Sequence, residues 1–205
     1  MIPEISHIIE THRLIRQGKR GPDNHKSILR GSVLLLCAAW EIYCERVVLE
    51  SALKISKSAK RYSDLPEAAI TQLKIAVHNE NVFKSEPLRL AGNGWRIEYV
   101  KVVRDKCQAL NTPKSANLDL LFKQCIGLKD LSKSWNYGKD EIDSFVRIRG
   151  EIAHRGSDSL ALNRDDVSHF KAVVQKSISD TDDLLYDYLK GLPFYKKAPW
   201  QKTSK

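Results

Sequence analysis

Between Lys26 and about Ser56, apolar residues fall at Leu29, Val33, Leu36, Trp40, Tyr43 and Val47, spaced 4, 3, 4, 3 and 4 apart. That is the period of about 3.5 residues expected of a helix packed lengthwise in a bundle. Ile28, Leu34, Leu35, Ile42 and Val48 flank this seam. A helix apolar on several sides belongs at the centre of its bundle. This one helix therefore dictates an all-α fold built around it.

The rest of the chain supplies the surrounding helices. An amphipathic stretch runs from Ile5 to Arg16 and is closed by Gly18 and the turn Gly21-Pro22-Asp23. Ser63-Asp64-Leu65-Pro66 reads as a helix start, with the helix running from Glu67 to about His78. Pro87 and Asn93-Gly94 punctuate the segment that follows, where the largest excursion is expected. Another helix is predicted from Trp95 to Leu110, broken at Thr112-Pro113. Asn117 is a candidate cap for a short helix reaching about Ile126, where Gly127 can end it. Leu128 to Tyr137 reads as short and irregular. A helix from Asp140 to about His154 is expected to have Asp140 as its cap, Asp143 in its first turn and Gly156 beyond its end. The last helix starts at Asn163, with Asp165 and Asp166 favouring its dipole, and carries the stripe Val167, Phe170, Val174, Ile178, Leu185 and Tyr188. No segment alternates with period two, and no repeat is visible. The expected architecture is one all-α bundle of about five to seven helices over residues 1–190, with a flexible basic tail over 191–205.

Composition narrows the class further. The chain has 205 residues and is 42% hydrophobic and 29% charged, enough for a core without disulfides or metals. The longest apolar run, Val33 to Trp40, is eight residues. A membrane span needs about 20, so no membrane association is expected. The N-terminal stretch carries Glu4 and Glu10 and lacks an apolar core, which does not read as a secretory signal. Cys37, Cys44, Cys107 and Cys125 form no C-x-x-C pair; Cys37 and Cys44, seven apart in an apolar stretch, read as small core residues, and a cytoplasmic setting is expected.

The net charge is +9, and five of those charges are Lys190, Lys196, Lys197, Lys202 and Lys205, in an end segment without acids. This distribution suits either a polyanionic partner such as RNA or a solubilising tail. No phosphate-binding glycine loop and no nucleophile-elbow motif is present. The acids Asp180, Asp182 and Asp183 read as a solvated helix face rather than metal ligands. Trp95 and Trp135 read as core residues, while Trp200 could stack on a base.

The chemistry concentrates in Phe145-Val-Arg-Ile-Arg-Gly-Glu-Ile-Ala-His-Arg-Gly156. At about 100° per residue, Ile142, Phe145, Val146, Ile148, Ile152 and Ala153 form an apolar arc, with Arg149 in its middle. Arg147, Glu151, His154 and Arg155 lie on the polar side. An arginine within an apolar arc is either paired internally or directed at an anion in a groove. Glu41, the only acid between Lys26 and Cys44, is the candidate internal partner. A phosphate is the candidate external one, since the guanidinium fork contacts two of its oxygens. His154 is either an inert surface histidine or a general acid or base. Arg149 and His154 lie about 140° apart on an ideal helix. They would converge only if the helix loosened at Gly150 or if two copies met across a symmetric dimer.

Arg149, four intervening residues, then His154 followed by Arg155-Gly156 resembles the signature of the HEPN superfamily. The stretch from Arg30 to Glu45 is similar to the long early helix of its RiboL-PSP-type branch, and Asn117 to Trp135 is also similar. The resemblance implies a helical bundle that dimerises with its motifs facing across a cleft. It implies an endoribonuclease that needs no metal or other cofactor. In that chemistry the ribose 2′-OH attacks the adjacent phosphorus, leaving a 2′,3′-cyclic phosphate and a 5′-OH. His154 would move protons and Arg149 would stabilise the phosphoryl charge, with Glu41, Gly150 and Glu151 in supporting positions. Arg147, Arg155, Lys196 and Lys197 are candidates for holding RNA. A toxin or defence effector is implied, with an antitoxin or other protein as a possible partner. One departure is Gly150, where active members often carry a polar residue. Some members with this fold serve instead as modules that bind RNA or a partner protein.

Overall fold

The computed structural model describes residues 2–17, 26–80, 86–155, 162–196 and 198–200. Seven helices and no strand occur among them: α1 (Ile2–Arg16), α2 (Lys26–Ser58), α3 (Glu67–Asn79), α4 (Gly94–Gln108), α5 (Ser115–Ile126), α6 (Lys139–Arg155) and α7 (Arg164–Gly191). Gly18, the turn at 21–23, Gly156, Lys197 and residues 201–205 lie outside the described residues, as does the Arg155 side chain.

α2 is the axis of the bundle, with α1, α4, α5, α6 and α7 packed against it. Leu29, Val33, Leu36, Trp40 and Val47 of its seam are buried. Trp40 explains the register. Its Nε1 donates to the Pro113 carbonyl at 3.0 Å, its ring stacks on Tyr43, and it meets Trp135 edge-on at 5.6 Å. Trp135 Nε1 donates in turn to Thr181 Oγ1 of α7. These bonds satisfy both indole N–H groups inside the core, where an unmet donor would cost about 1–3 kcal/mol. Trp95, like Trp135, is a core residue.

Carboxylates hold the shorter elements in place. Asp143 of α6 accepts from Ser115 N and Ser115 Oγ, both at 2.7 Å, so it caps the start of α5 from outside. Asn117, expected as that cap, lies within α5 and donates its Nδ2 to the Thr112 carbonyl. Asp119 repeats the clasp on Ser132, fixing the short 3₁₀ turn Leu131–Ser134. Asn163 does cap α7, accepting from Asp165 N and Asp166 N while Asp166 returns the bond to Asn163 N. Gly127 ends α5 at φ 80°, and a Cβ there would meet Pro66 at 2.4 Å, so both backbone and packing require glycine.

One expectation is corrected here. The acids of α7 are not a solvated face. Tyr43 Oη donates to Asp182 Oδ1 at 2.7 Å, with the Ile178 carbonyl as the alternative acceptor, and burial pushes the Asp182 carboxyl up. Asp180 accepts from Asn136 N and pairs with Lys176. The apolar seam of α2 carries a hydroxyl at Tyr43, and the acid one turn along α7 meets it.

Among the described residues no helix follows Gly191, and Leu192, Phe194, Tyr195 and Trp200 lie half-buried against the core. Lys54 lies over the Trp200 ring at 5.7 Å. The aromatics of this segment bury apolar area that its lysines do not need to follow.

Candidate functional site

α6 is amphipathic in the register expected. Ile142, Phe145 and Val146 are buried in its first half, Ile152 in its second, and Ile148 packs at the edge of the core. The arc narrows toward the C-terminal end, where Ala153 is exposed. α6 stays helical through Gly150 to Arg155, so no loosening brings Arg149 and His154 together. A Cβ at Gly150 would meet nothing within 4 Å, which leaves this glycine without a packing role.

Arg149 is half-buried and makes no hydrogen bond or ion pair among the described residues. It does not pair with Glu41. Both residues instead act on Cys37, one turn before Glu41 on α2. Burial pushes the Cys37 thiol up to about 11; the Arg149 charge pulls it down and the Glu41 charge pushes it up. The guanidinium therefore faces the middle of α2 but keeps its fork unoccupied. An arginine so placed can accept an anion from outside the chain without first breaking an internal bridge.

His154 is exposed near the end of α6. On the polar face of α6, Arg147 Nη1 donates to Glu151 Oε1 at 2.6 Å. Glu151 is thus occupied on the polar face and does not reach the motif pair. Of the RNA-binding candidates, Arg147 on α6 and Lys196 after α7 are exposed, while the Arg155 side chain and Lys197 lie outside the described residues. The described residues contain no group of three or more His, Cys, Asp or Glu able to hold a metal.

The α2 surface around Cys37 and Glu41 is apolar. Leu34, Leu35 and Ile42 are 37%, 47% and 36% exposed, and Ala38 between them is exposed too. The seam rule places these residues on α2 but not on its open side; Leu35 and Ile42 read as bundle flanks until the packing partners of α2 are known.

The site thus consists of a half-buried unpaired arginine, a histidine on a different side of the same unbroken helix, and an exposed apolar strip on the helix beneath. Within one chain, Arg149 and His154 do not address a common point. No helix among the described residues is long and apolar enough to cross a membrane. No curated protein and no solved structure matches the chain. The profile of the family described as RiboL-PSP-HEPN matches residues 2–187. The match runs from α1 through most of α7 and takes in the whole Arg149–His154 segment, and the chain belongs to the RiboL-PSP-HEPN family.

Proposed function

We propose that this protein is an endoribonuclease acting as a homodimer, with Arg149 and His154 as its catalytic residues. The observation that carries the reading is Arg149: a half-buried guanidinium with an unoccupied fork, in the motif that ends in an exposed histidine. In the reaction, the ribose 2′-OH gives up its proton and attacks the adjacent phosphorus. The bond from phosphorus to the 5′ oxygen breaks, and that oxygen takes a proton. The products are a 2′,3′-cyclic phosphate and a 5′-OH. His154 serves the proton transfers, and Arg149 stabilises the negative charge growing on the phosphoryl oxygens. No metal takes part.

Two copies are needed because one unbroken helix separates the two residues by about 140°. The exposed strip Leu34, Leu35, Ala38 and Ile42 on α2 supports pairing on that side. The test is mixed RNA incubated with the full chain in excess chelator, with end-group chemistry on the fragments and light scattering alongside. Cyclic phosphate and 5′-OH ends from a dimer are expected. Intact RNA, or a monomer at micromolar concentration, would contradict the reading.

Gly150 favours a second reading, a non-catalytic module of the same fold that binds RNA or a partner protein. RNA bound by the wild type but never cut would support it. A toxin or defence role, with an antitoxin as partner, and a cytoplasmic setting extend the first reading.

A further inference from the structure

The last described segment builds a second concavity at the opposite end of α2. α7 stops at Gly191, Leu192 turns the chain out at φ −70° and ψ 131°, and Tyr195 N donates to the Leu192 carbonyl at 2.9 Å. This turn sets Phe194 and Lys196 beside the α2–α3 connection. Together they enclose a cavity of about 700 Å³ whose lining includes Lys60, Arg61, Asp64, Tyr188, Phe194 and Lys196.

The charges of this cavity do not cancel. Asp64 is its one acid, and its carboxylate is already engaged. It accepts from Lys60 N and Arg61 N at 2.9 Å each, and Arg61 Nε lies 3.9 Å away. Among the described residues, Lys60 and Lys196 make no ion pair, and the Lys60 charge reaches Asp64 only at longer range. The rest of the lining is largely apolar and aromatic. Tyr188 spends its hydroxyl on the Ile126 carbonyl and presents ring, and Phe194 packs half-buried against the core. Cations and aromatic rings lining one concavity suit a strand whose phosphates are charged and whose bases stack without sequence preference. The concavity is an open groove of a size that can take a nucleotide of a bound strand.

We infer that this cavity is a binding site for single-stranded RNA, with Lys60 and Lys196 on the phosphates and Phe194 against a base. It lies about 30 Å along α2 from Cys37 and Arg149, at the helical rise of 1.5 Å per residue. A strand held there is anchored well outside the cleavage site. The inference rests on the proposal that RNA is the substrate, and it adds a contact that the family motif does not contain.

The test measures binding of the full chain to 2′-O-methyl RNA of about 20 nucleotides, long enough for a multi-nucleotide site. This probe has no free 2′-OH and so resists the proposed reaction. Lys60→Ala with Lys196→Ala should weaken binding about tenfold or more at low salt. The double variant should also lower the slope of log affinity against log salt by about 1.4, two single-strand phosphate contacts at about 0.7 each. Phe194→Leu keeps the apolar packing and should weaken binding about fivefold with the slope unchanged. Lys74→Ala with Arg104→Ala, on the exposed faces of α3 and α4, removes the same charge elsewhere. An equal loss from this control, or unchanged affinity and slope in the Lys60 and Lys196 variant while wild type still cleaves RNA, would overturn the cavity alone. Wild type that neither binds nor cleaves RNA would overturn the nuclease reading and the cavity together.

Discussion

The two halves of α6 have opposite characters. The first half is locked on three sides. Ile142 and Phe145 are fully buried, Asp143 clasps the start of α5, the Phe145 ring lies 5.4 Å from Phe170 of α7, and Glu141 meets His169 at 3.0 Å. The second half keeps only Ile152 buried and Ile148 at the core edge, while Arg149 is unpaired, Gly150 has open space beside it and His154 is exposed. One helix thus divides in two: its first turns hold the bundle, and its last turns leave polar side chains open to solvent. The arginine without an ion pair among the described residues is tolerable because it is only half-buried and keeps part of its hydration.

Substitutions can break this contrast at either end. The largest expected effect on stability is Phe145→Ala, which should cost about 3–5 kcal/mol in urea or thermal unfolding because the site is closed on every side. Asp143→Ala should cost about 1–3 kcal/mol, since it strands the buried Ser115 amide without its acceptor. Asp143→Asn retains one acceptor and should recover part of that loss. In the second half, the sign reverses at Gly150→Ala. With helical backbone and nothing near the added methyl, melting should rise by an amount equivalent to about 0.5–1 kcal/mol. A loss of stability there would mean that α6 is not settled as a plain helix through residue 150.

The helices were largely readable from the chain because their causes are local. The seam of α2, the stripe of α7 and the Asn163 cap each depend on residues within a few turns of one another. The motif residues were readable for the same reason, since Arg149 and His154 lie on one helix. What could not be read involves partners brought together by folding. Asp143 looked like a first-turn acid because Ser115, which it clasps, is 28 positions away. Asp182 looked solvated because Tyr43 lies on another helix. Glu41 was the natural partner for Arg149 by elimination, yet helix placement gives both of them Cys37 as a neighbour instead. The cavity at the far end of α2 needs Lys60 and Lys196 side by side, and only the return of the chain after Gly191 provides that.

In the proposed nuclease, the end of α6 carries the chemistry without supporting the fold. The most direct test of this is the rate of RNA cleavage beside the melting temperature for wild type, His154→Ala and Arg149→Lys. His154→Ala should melt within about 1 kcal/mol of wild type, as an exposed residue does. It should cleave at least about 100-fold more slowly, the loss typical of a missing proton-transfer group. Arg149→Lys keeps the charge but loses the two-pronged contact, and should fail as well. Full cleavage by a well-folded His154→Ala protein would contradict the account.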